Sequence, residues 1–241
     1  MRYATGLVAA GLLAMAGTAS AGEFSGTVTA VSDYDFRGVS LSAKDPALQG
    51  SIDFASDSGF YAGAWASNLD YGPGVDGEIK LDLYLGWAGE TAGGLGWDAG
   101  IVWYTYPDSS SSQTESKILD YPEIYAAISH GPFEFKQWYT NDYGGGEQDA
   151  LYSEVNASFE LPSGFTLNLH GGYNYGEYFN DNWTEFFDFS AGVGYTVGHF
   201  DMELKITGTD LSGSDEIKSD LFNTEPRAVL SVSTTFPWSD E

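Results

Sequence analysis

The residues best equipped for chemistry in this chain are acids and bases set two apart inside strand-like runs. Asp33, Asp35 and Arg37 form one such set. Lys80 with Asp82, Glu134 with Lys136, and Glu203 with Lys205 form others, joined by Glu154, Asp188 and Arg227. Residues two apart on a strand share a face, so each set would line one surface with charge. A narrow charged surface can select ions, or it can tie strands together through ion pairs. Arg37 illustrates both roles. With Asp33 and Asp35 it could form a charged constriction, or it could brace the first strand against the last, where Arg227 sits. We favour the bracing role, because enclosed charges are commonly partnered.

Catalysis would have to draw on the 3 histidines. His130 and His199 fall beside tight turns, and His170 lies in a strand-like run at the charged parity, near Asn168 and Asn174. A histidine-dependent hydrolase also needs a nucleophile or paired acids beside that ring, and the pattern singles none out. No catalytic set and no cofactor are expected. Oxygen-rich stretches at 70–78 and 210–216 resemble calcium loops in composition, but neither follows the EF-hand spacing. They are read as solvated surface rather than metal sites, with divalent bridging to lipopolysaccharide phosphates as a weaker reading. Phosphate loops, zinc motifs, heptads and basic nucleic-acid patches do not occur.

The elements that would carry these charges are strands with a greasy reverse side. Ile79, Leu81, Leu83, Leu85 and Trp87 alternate with the Lys80 set; Leu151, Val155, Ala157 and Phe159 with Glu154; and Leu230, Val232, Thr234 and Phe236 follow Arg227. A charge facing hydrocarbon costs about 2–4 kcal/mol for Lys or Arg at midplane, so the charged faces must point inward and the apolar ones to lipid. The basic residues comply: Arg37, Lys80, Lys136, Lys205 and Arg227 take the inward parity, while Lys44, Lys117 and Lys218 fall in long loops. About twelve strands are predicted, an even number as single-chain barrels require. They lie near 24–40, 46–56, 60–69, 77–88, 96–107, 119–130, 133–143, 150–160, 165–176, 183–197, 200–209 and 226–238.

Connections alternate in length. Tight turns are expected at 56–59, 89–95, 131–132, 161–164 and 198–199, where glycine and proline supply hairpin geometry. Longer polar connections are expected at 41–45, 70–76, 108–118, 144–149, 177–182 and 210–225. Transmembrane barrels sort their loops this way, with short turns on the periplasmic side. Aromatic girdles are expected at both rims: Phe24, Phe60, Trp97, Phe133, Phe165, Phe200 and Trp238 at the short-turn end, and Tyr104, Tyr106, Tyr121, Tyr139, Tyr143, Tyr173, Tyr175 and Trp183 at the other.

Composition agrees. The chain holds 31 glycines and no cysteine, so disulfides and a lipid anchor on cysteine are excluded. Acidic residues number 35 against 9 basic, a balance that argues against nucleic acid and suits cations. Arg2, the apolar run 7–16 and Ala19-Ser20-Ala21 read as a signal peptide over 1–21, leaving a single domain over 22–241.

Several stretches resemble the TorF family of porins in order along the chain. The clearest is Ser32-Asp33-Tyr34-Asp35-Phe36-Arg37-Gly38-Val39-Ser40, followed by Trp65-Ala66-Ser67-Asn68, Trp103-Tyr104-Thr105-Tyr106-Pro107, Glu123-Ile124-Tyr125, Asp188-Phe189-Ser190-Ala191-Gly192 and Arg227-Ala228-Val229-Leu230. The resemblance implies a bacterial outer-membrane channel but brings no catalytic set. One departure is the terminus, where Phe236 and Trp238 precede Ser239-Asp240-Glu241 instead of closing the chain. The expected molecule is an all-β, up-and-down antiparallel barrel in the outer membrane. It would pass small solutes or ions passively and prefer cations. The alternatives are a structural or adhesive barrel acting through its loops, and an outer-membrane hydrolase. Expected partners are outer-membrane lipid and lipopolysaccharide, the barrel-assembly machinery, and the permeating solutes.

Overall fold

The computed structural model describes residues 22–70, 78–107, 120–218 and 222–238. Residues 1–21, where a leader is expected, most of the 70–76 connection, the 108–118 connection with Lys117, and Ser239-Asp240-Glu241 lie outside the described residues.

Twelve strands close into one antiparallel barrel. They are β1 (Glu23–Val31), β4 (Ala47–Ala55), β5 (Phe60–Asn68), β6 (Ile79–Glu90), β7 (Gly96–Thr105), β8 (Tyr121–His130), β9 (Phe133–Thr140), β10 (Ala150–Glu160), β11 (Phe165–Tyr175), β12 (Phe186–Val197), β13 (Phe200–Thr209) and β14 (Arg227–Phe236). Two further strands, β2 (Asp35–Phe36) and β3 (Val39–Ser40), pair only with each other. Sequence neighbours pair around the wall, and β1 meets β14 from Gly26↔Phe236 to Val31↔Ser231. Closure leaves no unpaired edge, the condition for a sheet in hydrocarbon.

The outer surface is apolar by parity. Ile52, Leu83, Ile124, Val155, Leu204 and Ile206 are exposed there, while Lys80, Asp82, Lys136, Glu154 and Asp188 on the opposite parity are buried inside. A ten-residue strand tilted about 40° spans roughly 25 Å, the height of a lipid-facing band.

Three expectations need correction. The predicted first strand, 24–40, ends at Val31. Ser32 makes a last bond to the wall through its N–H to the Leu230 carbonyl (2.9 Å), and the chain then turns inward as the β2–β3 hairpin before β4 rejoins the barrel. Its tip is Arg37-Gly38, with φ of 52° and 82°. Positive φ at both central residues is what a two-residue type I′ turn requires. Glycine is needed at position 38 for a second reason. A Cβ there would lie 2.7 Å from both Asp188 Cβ and Thr209 Cγ2. The outer aromatic girdle is also thinner than expected, because Tyr104, Tyr106 and Tyr121 are buried within the barrel and Tyr143 packs on Tyr121. Tyr139 remains exposed at that end, and Phe24, Trp97, Phe133, Phe165, Phe200 and Trp238 are exposed at the other. A short helix, α1 (Glu177–Asn182), stands where only a loop was expected, its Phe179 buried against Tyr143 and Phe186.

Candidate functional site

The hairpin reaches across the lumen and is fastened at both ends. At its root, Asp33 is ion-paired with Arg227 Nε, and Arg227 Nη2 lies 2.6 Å from Asp35. Asp35 also accepts from Lys205 Nζ (2.9 Å) and Thr207 Oγ1 (3.0 Å). Ser40 Oγ donates to Asp33 (2.5 Å), and Arg227 Nη1 reaches on to the tip, donating to the Gly38 carbonyl (3.0 Å). Burial pushes the Asp35 carboxyl up, but the Lys205 and Arg227 charges outweigh it and hold the group below the ordinary aspartate range. The root is therefore pinned to β13 and β14 by charge-assisted bonds, the strong class of hydrogen bond.

At its tip, Arg37 meets the opposite wall. Its guanidinium bonds both oxygens of Glu123 on β8, at 3.0 and 2.6 Å. The same guanidinium lies 4.3 Å from the Tyr152 ring centroid and 5.5 Å from that of Trp138, with Phe36 at 4.9 Å. Tyr104 donates a further hydrogen bond to Glu123 (2.9 Å). Strands β8, β9 and β10 stand across the barrel from β1 and β14, so the hairpin bridges the full width. Arg37 thus neither stands in a constriction with Asp33 and Asp35 nor braces the first strand against the last. That second task falls to Arg227, through Asp33 and Asp35.

Beside this seat, Lys80 pairs with Asp82 (2.8 Å) under the rings of Tyr104, Phe36 and Trp65, at 4.3, 4.8 and 5.3 Å. His170 lies between Asp188 Oδ1 at Nε2 (2.8 Å) and Asn156 Oδ1 at Nδ1 (2.7 Å). Asn156 Nδ2 faces Glu154 (3.1 Å), which fixes the amide with its oxygen toward the ring. Nδ1 then donates to Asn156, and Nε2 meets both Asp188 and the Tyr152 hydroxyl (2.9 Å), so both ring nitrogens are engaged within the wall. A cavity of about 10 Å³ remains against Asp33, Asp35, Gln49 and Lys205, the lower limit for one water.

The short-turn half of the lumen is built differently. Asp53, Asp98, Glu134 and Glu203 are half-buried on the inward parity. Among the described residues none of them has a lysine or arginine nitrogen within 4.0 Å. Their partners are neutral. Tyr84 and Ser51 donate to Asp53, Tyr61 donates to Asp98 (2.6 Å), Asn156 reaches Glu134 (3.4 Å), and Asn168 donates to Glu203 (2.7 Å). Lys136 shares a ladder row with Asp98, two strands away across Ala127, and acts on it through space without an ion-pair contact, while its ammonium rests on the rings of Tyr125 and Trp138, at 5.0 and 5.3 Å. The tyrosines lie flat on the wall, because Tyr84, Tyr61 and Tyr125 face Gly63, Gly86 and Gly100 across adjacent strands. A Cβ on any of these glycines would come within 3 Å of the facing ring or hydroxyl.

Every residue of the charged set faces the interior, from the wall or from the hairpin. Parity alone did not bring forward Glu123, Asp53 or Asp98, although each obeys it. Among the described residues, no group of three or more His, Asp or Glu side chains is placed to hold a metal.

Fold and site together define a class: a closed, twelve-stranded transmembrane barrel with a charged interior. Residues 15–236 match the family described as "Bacterial protein of unknown function (Gcw_chp)", and the chain belongs to that family. No curated protein matches the chain. Among solved structures it is similar to the NanC porin (TM-score 0.54, 7% identity, covering 90% of this chain and 100% of that one). It is also similar to the KdgM porin (TM-score 0.53, 7% identity, covering 89% and 99%). A structure of KdgM in complex with disordered oligogalacturonate aligns at a TM-score of 0.50 and 7% identity, covering 90% and 100%. At that identity the likeness shows the fold and nothing about the solute. The chain is porin-like in fold, and the family that matches it does not carry the TorF name.

Proposed function

We propose that this chain is a TorF-like outer-membrane channel through which small solutes or ions diffuse passively, with a preference for cations. The carrying observation is the set Asp53, Asp98, Glu134 and Glu203, which meet lumen water without a cationic partner within 4.0 Å among the described residues. Uncompensated carboxylates in a narrow, low-dielectric passage concentrate cations and repel anions. The similarity to porins supports passage through the barrel axis. The KdgM structure holds an acidic oligosaccharide; the acidic interior here suits the opposite charge. The hairpin bridges the lumen from Arg227 to Glu123, so only small solutes would pass beside it. The environment of His170, with both nitrogens engaged, supports a non-enzymatic reading. Delivery through a leader cleaved after Ala21 and assembly by the barrel machinery complete the proposal, with lipid and lipopolysaccharide around the belt.

The test is reconstitution of the mature chain in planar bilayers under a potassium chloride gradient. Discrete current steps reversing on the potassium side support the reading, and chloride preference overturns it. The hairpin spanning the lumen favours one second reading, a closed structural or adhesive barrel acting through its loops. Silence in the bilayer would select that one.

A further inference from the structure

The Arg37 seat has a property that an ordinary internal ion pair lacks: apart from Phe36, every group in it belongs to the barrel wall. Glu123 is 1% exposed, and its two oxygens face the lumen in the geometry that a guanidinium fork fills. Tyr104 fixes the carboxylate with a hydrogen bond at 2.9 Å, and Trp138 and Tyr152 present ring faces to the cation. Carboxylate plus aromatic faces is the chemistry that recognises organic cations. The planar, bidentate fit favours guanidinium over a spherical ion. The occupant arrives on a hairpin whose strands pair only with each other, so its departure would break no rung of the barrel. An empty seat would leave a carboxylate whose remaining side-chain partner is the Tyr104 hydroxyl, facing ring surfaces that suit a replacement cation.

We propose that the Glu123 seat is a recognition site for a guanidinium-bearing solute, and that the hairpin holds Arg37 there as an internal surrogate for it. The proposal deepens the channel reading and rests on it. The acidic short-turn half would concentrate such a solute near the site, and its arrival would compete with Arg37 for one carboxylate. Binding is non-covalent and involves no proton or electron transfer.

The experiment uses methylguanidinium chloride as probe, in low millimolar amounts and at constant ionic strength against sodium chloride. In planar bilayers the Arg37→Ala barrel should be blocked by methylguanidinium at about one-tenth the sodium concentration that gives an equal effect, the margin of a bidentate charge-assisted pair. The wild type, its seat filled, should respond much less, and Arg37→Ala with Glu123→Gln should lose the block. An Arg37→Ala current that treats the two cations alike overturns the proposal, as does block that survives Glu123→Gln. Absence of current from every variant sinks the channel reading instead. The seat is then judged by thermal unfolding of the detergent-folded barrel. Stabilisation of Arg37→Ala by methylguanidinium over sodium, lost with Glu123→Gln, upholds it, and equal effects refute it. Should Arg37→Ala fail to fold, Arg37→Gln, which keeps more of the stem, is put through the same comparisons.

Discussion

The two halves of the lumen use the same residue types to opposite ends. Toward the long loops, Asp33, Asp35, Asp82 and Glu123 are each matched to Arg227, Lys205, Lys80 or Arg37, and the charges neutralise one another across a hairpin. Toward the short turns, Asp53, Asp98, Glu134 and Glu203 accept hydrogen bonds from hydroxyls and amides, with no lysine or arginine nitrogen within 4.0 Å among the described residues. Partnered charge is structural and leaves little field; unpartnered charge in contact with water leaves its field in the passage. The difference teaches that counting inward acids says little about selectivity until each has been assigned its partner.

The sharpest way to break this contrast is to remove a partner in the neutralised half. Glu123→Gln leaves the Arg37 guanidinium buried without counter-charge, a loss of about 3–5 kcal/mol at the seat. The hairpin should detach, and single-channel conductance should rise well above wild type. Unchanged conductance would mean that the hairpin does not limit the passage. Next in size is Gly38→Val. The left-handed backbone at φ 82° costs about 1–2 kcal/mol for a residue with a side chain, and the new Cβ would collide with Asp188 and Thr209. Protease accessibility at the hairpin should rise while the barrel itself stays folded in detergent.

Neutralising the other half should act on selectivity rather than on stability. Asp53→Asn, Asp98→Asn, Glu134→Gln and Glu203→Gln combined should move the reversal potential in a salt gradient toward zero, with little change in unfolding temperature. The same shift from Asp33→Asn alone would erase the distinction between the halves. The smallest effect expected is with pH. Because the folded Asp35 carboxyl lies below its ordinary range, its contribution to the hairpin is complete above the unfolded aspartate pKa. That contribution is lost as pH falls through the depressed folded value. Acid titration of conductance should show a low-pH opening step that Asp35→Asn removes.

The barrel was legible because alternation along each strand is dictated by lipid on one side and water on the other. Strand positions, the short-turn aromatic rim and the inward faces of Lys80, Glu154 and Asp188 all follow from it. The hairpin was hidden by the same rule. Ser32 to Arg37 continues the parity of β1, so the bend at Ser32 leaves no mark on the pattern. Two signals were nonetheless present. A first strand over 24–40 is longer than the 9–11 residues a bilayer needs, and Arg37-Gly38 can supply the two positive φ angles of a hairpin turn. Glu123 escaped notice because its partner lies 86 residues away in sequence, a distance that no local pattern spans. Tyr104 and Tyr121 looked like girdle residues from their nearness to strand ends, but their parity with Glu123 turns them inward.

The contrast comes down to whether uncompensated carboxylates at the short-turn end govern what passes. The most direct measurement is the reversal potential of the wild-type mature barrel under a potassium chloride gradient, compared with that of the barrel carrying the four amide substitutions. The account predicts a wild-type potential on the potassium side that collapses toward zero in the substituted protein. A wild-type potential on the chloride side, or one that the four substitutions leave in place, would contradict it.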